Sequence, residues 1–259
     1  MSSSGEKLRK LVVESKPLQI VGTVNAYSAI MAEKVGHQSV YLSGGGVAAS
    51  SFGVPDLGIT TLEDVLEDAK RITQATSLPL LVDADTGWGD ALSIARCVRE
   101  MTNSGVAAIH IEDQVSQKRC GHRPNKAIVS TNEMIERIKA AVDAKTDSNF
   151  VIMARTDALA IEGMQSAIDK AAAFAEAGAD MIFPEALNTI EQYQEFSDSI
   201  NVPILANITE FGQTPLFSKE ELSEAGVDMI LYPLSAFRAM SNAALNVYQH
   251  ILEDGHQHN

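Results

Sequence analysis

Nine consecutive residues, "KRCGHRPNK" (118–126), set a thiol and an imidazole among four cationic side chains in a chain whose formal charge is −14. Cys120 is therefore a candidate acid–base group. Lys118, Arg119 and Arg123 are expected to stabilise its thiolate, lower its pKa and make the sulfur an exchangeable proton carrier near neutral pH. Gly121 and Pro124 bracket a backbone that cannot be helical, so the segment reads as a lid over a site. His122 is open between a structural hydrogen bond and a substrate contact. Zinc ligation by Cys120 and His122 is not expected, because no second Cys or His pair stands at the required spacing. The other cysteine, Cys97 in "ALSIARCVREM" (91–101), reads as inert core.

A second constellation is acidic. "VDADTGWGD" (82–90) places Asp83 and Asp85 two positions apart, and strand side chains two apart point the same way. With Glu112 and Glu185 they form a hard-oxygen set suited to Mg²⁺ or Mn²⁺, which favour one or two carboxylates plus water and substrate oxygens. The alternative is that these acids simply pair with Arg155, Lys118 and Arg119. In "SGGG" (43–46), consecutive glycines let backbone amides converge on a carboxylate or phosphate, although a tight turn would use the same residues. The loop after it, "VAASSFGVPDLG" (47–58), is long for its place and so a candidate functional segment.

These groups need a scaffold that brings them to one place. Eight short apolar runs recur along the chain: "LQIVGTVNA" (18–26), "SVYLSG" (39–44), "LPLLVDAD" (78–85), "AAIHIED" (107–113), "FVIMART" (150–156), "MIFPEA" (181–186), "VPILANI" (202–208) and "MILYPL" (229–234). Continuous rather than alternating apolar runs are expected of parallel strands covered on both faces. Helical start signals lie between them, with capping boxes expected at Thr60/Glu63, Ser130/Glu133 and Ser218/Glu221. "EAGAD" (176–180) and "EAGVD" (224–228) place a glycine where a helix stops. The alternation predicts an α/β fold, a closed (β/α)8 TIM-type barrel forming a single domain over 1–259, with an extra N-terminal helix at about 5–16.

Such a barrel builds its site at the C-terminal ends of its strands. Those ends carry Asn25, Ser43 with Gly44 to Gly46, Asp83, Asp85, His110, Glu112, Asp113, Arg155, Glu185, Asn207 and Thr209, with Arg238 just beyond the last. Crowding charge into one mouth costs desolvation energy unless a metal or ligand compensates it. With 45% hydrophobic and 21% charged residues the composition is that of an ordinary globular protein. The acidic balance disfavours nucleic acid, and no apolar run is long enough to span a membrane. Two cysteines make no disulfide framework, which fits a reducing, cytoplasmic setting.

These segments, with "YLSGGG" (41–46), "MARTDA" (153–158), "FPEA" (183–186), "ANITEFG" (206–212) and "LYPLSAFRAM" (231–240), closely resemble the isocitrate lyase/phosphoenolpyruvate mutase superfamily, and within it the methylisocitrate lyase branch, from residue 18 to residue 250. The K-[KR]-C-G-H segment is specific to the lyase branch, whereas the D-x-D-x-G loop is shared with the mutases. The resemblance implies a carbon–carbon lyase: Mg²⁺-dependent retro-aldol cleavage of (2S,3R)-2-methylisocitrate, a tricarboxylate, to pyruvate and succinate in the methylcitrate route of propionate breakdown. By position it makes Asp83 and Asp85 the metal-loop acids, with Glu112 in the outer water network, and Ser43, Gly44 and Gly45 the carboxylate cradle. It makes Cys120 the catalytic acid and Gly121 its substrate-contacting neighbour. Arg155, Glu185, Asn207, Ile208, Thr209 and Arg238 become further substrate contacts, and Tyr41 stands near the scissile hydroxyl. Tyr41 and Glu185 are both candidates for the group that takes the hydroxyl proton. Phe183, Leu231 and Pro233 match the apolar lining for the extra methyl. Isocitrate is the alternative substrate. A homotetramer is implied, weakened by the missing helical extension that the family carries after "HILEDGHQHN" (250–259); a catalytically impaired dicarboxylate-binding barrel is the alternative that this absence raises.

Overall fold

Each of the eight apolar runs forms a short parallel strand in the computed structural model, which describes residues 2–123 and 125–257. Pro124, one of the two residues expected to bracket the lid, lies outside the described residues. Helix α1 (Ser4–Glu14) precedes β1 (Leu18–Gly22), α2 (Ala26–Val35), β2 (Ser39–Leu42), the short α3 (Gly44–Val47), α4 (Leu62–Ala75) and β3 (Leu80–Asp83). The chain continues through α5 (Ala91–Asn103), β4 (Ala108–Glu112), α6 (Thr131–Asp143), β5 (Val151–Thr156), α7 (Leu159–Glu162), α8 (Met164–Glu176) and β6 (Met181–Pro184). It ends with α9 (Ile190–Ser199), β7 (Leu205–Asn207), α10 (Lys219–Glu224), β8 (Met229–Tyr232) and α11 (Ser235–Asp254).

The strand order β6-β5-β4-β3-β2-β1-β8-β7 runs round the sheet. Its two edges meet through the single bridge Ile182–Ile204, so the barrel is nearly closed. Period two sorts each strand. Val40, Leu42, Leu80, Val82, Ile109, Ile152 and Ile230 face the helices in an outer core. Leu18, Ile20, Leu81, Val151, Met153, Met181, Leu205 and Met229 fill the interior, which also takes in Leu8 and Val12 of α1. One step further along the same inward rows the residue type changes from aliphatic to polar. That switch positions the site.

Two helix starts depart from expectation. The cap of α4 is Thr61, paired reciprocally with Asp64, one residue after the expected Thr60/Glu63; "TTLED" (60–64) satisfies the pattern in both registers. Ser130 caps α6 through the Glu133 amide, but Glu133 turns its carboxylate to Arg137 instead of completing a box. Ser218 and Glu221 form the full reciprocal pair. Gly178 and Gly226, the expected helix stops, have φ of +107° and +79°, a region that favours glycine.

Candidate active site

The inward rows end in Tyr41, Asp83, His110, Glu112, Arg155, Glu185 and Asn207, all buried at the C-terminal mouth. Of these, Tyr41, Asp83, Arg155, Glu185 and Asn207 line a cavity of ≈ 720 Å³, whose lining also includes Ser43, Gly45, Cys120, Gly121, Thr209 and Arg238. Phe183, Leu231 and Pro233 supply an apolar part of that lining, as expected. Three other expected residues sit differently. Gly44 and Asp85 lie just behind the wall, where Gly44 N donates to Asp83 Oδ2 at 3.1 Å. A Cβ on Gly44 would stand 3.2 Å from both Asp83 Oδ2 and Asp85 Oδ1. Ile208 is turned outward into the helix-facing core by the strand period, and its amide donates to Leu231 O. Only its backbone is on the side where a substrate could be met.

The acids have unequal environments. Burial pushes Asp83 up, but His110, Lys118 and Arg155 outweigh that and hold it down to about 2. Burial and the charge of Asp83 push Asp85 up to about 7, despite Lys118 Nζ at 2.6 Å. Glu112 is raised well above the usual range, first by burial, against the pull of Arg155 Nη1 at 3.2 Å. Neither oxygen of Glu112 nor Asp85 Oδ1 has a well-formed hydrogen bond. The expected ion pairing with Lys118 and Arg155 therefore exists but leaves negative charge incompletely compensated.

The unpartnered Glu112 oxygens, and an Asp85 carboxylate met only by Lys118, fit a site that a divalent cation would complete. Among the described residues no three Asp, Glu, His or Cys side chains converge as a complete cage. Mg²⁺ keeps several waters and takes one or two protein carboxylates. Asp83 and Asp85 are the residues that would hold it. Lys118, almost fully buried, already brings a positive charge to Asp85 and to Asp56 at 2.5 Å. Asp56 is a site residue that the strand-end reading missed; its signal was the long loop 47–58.

Arg155 is clamped from three sides. Its guanidinium meets Asp157 Oδ2 (3.0 Å), Glu185 Oε2 (3.1 Å) and Glu112 Oε2 (3.2 Å), with Phe183 beneath it. Burial would raise the Glu185 carboxyl, but Arg155, His122 and Lys126 hold it well below the usual carboxylate range, so it is ionised. Tyr41 OH lies 2.9 Å from His110 Nε2, and burial with the charge of Asp83 keeps the phenol protonated far above its ordinary pKa. His110 is itself pushed down to about 4, chiefly by burial.

The cysteine loop lies over this floor. Gly121 is so close to it that a Cβ would collide with Arg155 Nη2 and Glu185. Lys126 Nζ pins the loop by donating to Gly121 O and Asp157 Oδ1, both at 2.6 Å. Arg238, reaching in from α11, donates to Thr209 Oγ1 at 3.1 Å and pairs with Glu210 at 2.5 Å.

One expectation is corrected. The cationic run does not depress the Cys120 thiol: burial raises it above its ordinary value, with Asp56 and Glu185 adding to the rise. Lys118 is spent on Asp56 and Asp85, and Arg119 and Arg123 are exposed. A thiol kept protonated suits a proton donor better than a nucleophile. Cys97 is fully buried with a thiol pushed up to about 12, inert as expected.

A nearly closed parallel barrel with an acidic loop and a cysteine-bearing loop at its mouth defines a class. The chain belongs to the phosphoenolpyruvate phosphomutase family, whose model matches residues 8–252. Over 99% of its length it is 64% identical to the 2-methylisocitrate lyase of Shewanella oneidensis, covering 88% of that protein. Among solved structures it is similar to 2,3-dimethylmalate lyase, a phosphoenolpyruvate mutase/isocitrate lyase superfamily member, with TM-score 0.94 and 35% identity over 99% of this chain and 87% of that one. It also matches a phosphonopyruvate hydrolase solved with oxalate and Mg²⁺, with TM-score 0.87 and 28% identity over 98% of this chain and 88% of that one.

Proposed function

We propose that the chain is a 2-methylisocitrate lyase that cleaves (2S,3R)-2-methylisocitrate to pyruvate and succinate. The observation that carries the reading is the protonated Cys120 thiol sharing one cavity with Arg155, Glu185 and Asp83. The 64% identity to a protein of that name supports it.

Ser43 and Gly45 at the start of α3, with Arg155, Asn207, Thr209 and Arg238, bind and orient the substrate carboxylates. Asp83 and Asp85 would hold Mg²⁺, or Mn²⁺ in its place, and the ion would supply Lewis-acid stabilisation of negative charge developing on the substrate. Two neighbouring groups with pKa values pushed apart divide donor and acceptor roles between them. Glu185, ionised, is the proton acceptor for the hydroxyl, and Tyr41, protonated, donates a hydrogen bond to the reacting oxygen. Carbon–carbon cleavage leaves an electron pair delocalised on the succinate aci-carboxylate, which nearby cations and amides stabilise. Cys120 delivers its proton to that carbon as general acid. Phe183, Leu231 and Pro233 face the methyl group, and a methyl-sized difference is worth about 1–3 kcal/mol, which favours the methylated substrate over isocitrate.

On this reading the chain is a single barrel domain, and the protein acts in the cytoplasm within propionate breakdown. Among the described residues no helix is long and apolar enough to cross a membrane. Self-association, as a homotetramer on this reading, is supported by α11, whose 20 residues include none that is buried and which exposes Leu245, Tyr248 and Leu252. The test is pyruvate release from methylisocitrate with Mg²⁺. Release no faster than that of the Cys120→Ser variant would reject the assignment.

A further inference from the structure

The cysteine loop is tied down at three places. Lys118 reaches Asp56 and Asp85, and Lys126 reaches Gly121 O and Asp157. The third tie crosses the mouth to the loop between β7 and α10, 91 positions along the chain. There Gln213 makes two bonds to one residue: its backbone N–H donates to His122 Nδ1 at 3.1 Å, and its side-chain Nε2 donates to the His122 carbonyl at 3.1 Å. A ring nitrogen that accepts carries no proton, so the imidazole proton of this arrangement sits on Nε2. That nitrogen faces Glu185 Oε1 at 3.2 Å; Asn207 Nδ2, 3.3 Å from the same nitrogen, gives its own hydrogen to Glu185 Oε1 and leaves Nε2 free to be the donor.

Gly212 makes the approach possible. A Cβ at that position would stand 2.9 Å from His122 Nδ1, 3.1 Å from Cε1 and 2.8 Å from Thr209 Cγ2. The turn thus packs on Thr209 and His122 at the rim of the cavity. It fixes the ring that donates to Glu185 and the backbone that follows Cys120.

We propose that the Gly212–Gln213 turn is the latch of the cysteine loop, holding His122 as an Nε2–H donor to Glu185 and keeping Cys120 over the cavity. Gln213 is a positioning residue. The part that concerns proton delivery rests on the lyase reading, while the latch itself does not. Gln213 is exposed, so replacing it leaves the barrel core untouched.

The experiment measures alkylation of Cys120 by iodoacetamide, read by mass spectrometry with buried Cys97 as the silent control, with and without Mg²⁺ and pyruvate. In parallel, kcat and KM for methylisocitrate are measured. Gln213→Ala should alkylate about fivefold faster, the worth of one neutral hydrogen bond, and lose a similar factor in kcat with KM changed less than twofold. Gln213→Glu keeps the size but loses the donor, and should match Gln213→Ala. Gly212→Ala, which displaces the ring, should exceed both. Wild-type alkylation rates in Gln213→Ala and Gln213→Glu would overturn the latch, as would a Gln213→Glu variant indistinguishable from wild type. If the variants alkylate faster but not even the wild type releases pyruvate, the latch stands and the lyase assignment falls.

Discussion

Replacing Gly121 with alanine tests how closely the cysteine loop must approach the floor. The added methyl would stand 2.5 Å from Glu185 Oε2 and 2.7 Å from its Cδ, and would also overlap Arg155 Nη2. Ordinary contact begins at 3.4 Å, so the loop must withdraw by about 1 Å. The floor cannot yield instead, because Arg155 is held by Asp157, Glu112 and Glu185 together. A misplacement of about 1 Å between a catalytic group and its target costs about 100-fold, or about 2.7 kcal/mol of transition-state stabilisation. The assay is steady-state pyruvate release at saturating Mg²⁺, with Tm recorded on the same preparations. The expected result is kcat down about 100-fold and Tm within about 2 °C of wild type, since the loop is not part of the barrel core. A kcat within threefold of wild type would refute the claimed contact between loop and floor. A large fall in Tm would refute the claim that the loop is separable from the fold.

Cys120→Ser should lose about 100-fold or more in kcat, the usual worth of a positioned general acid, whereas Cys97→Ala should keep full activity at a cost of about 1 kcal/mol from the small cavity; stopped-flow assays with urea melts separate the two. Asp85→Asn removes a carboxylate that burial and Asp83 disfavour. It should therefore raise Tm without metal by about 3 °C while abolishing the Mg²⁺-induced rise in Tm seen by differential scanning fluorimetry. Asp113 is pushed up to about 6 from 3.8, first by burial and then by Asp157 against the Thr156 and Asp157 N–H bonds. Between pH 4 and 6 the folded protein thus binds more protons than the unfolded chain, and stability falls as pH rises by up to about 3 kcal/mol from this group. Asp113→Asn should gain on wild type by that amount between pH 4 and pH 7 in chemical denaturation; a pH-independent difference would contradict it.

Local signals sufficed for the barrel. All eight apolar runs became strands, and the residues at their ends converged, because period two carries each inward row from Leu81 to Asp83 or from Met153 to Arg155 without further instruction. The loop character of 118–126 was legible for the same local reason: cations, glycine and a thiol leave no apolar period. The thiol's protonation was not. It depends first on burial of the sulfur under the folded loop, and then on the charges of Asp56 and Glu185, which arrive from distant segments that no local window contains. His122 stayed ambiguous because its partners, Glu185, Asn207 and Gln213, arrive from three later segments. The outward turn of Ile208 was readable in principle, since Asn207 points inward and its neighbour must oppose it.

The sheet's two edges, β6 and β7, share one main-chain bridge at Ile182–Ile204, low in the wall. Higher up, where a ladder would ordinarily continue, Asn207 Nδ2 donates to Glu185 Oε1 across the gap at 3.3 Å. The cylinder is thus sewn shut at its rim by two side chains that also belong to the reaction chamber. This is the stave joint of the barrel, and it has few amide bonds to protect it from hydrogen exchange. Any change at Glu185 made to probe chemistry also unpicks that stitch, so its effect on turnover carries a contribution from loosened walls.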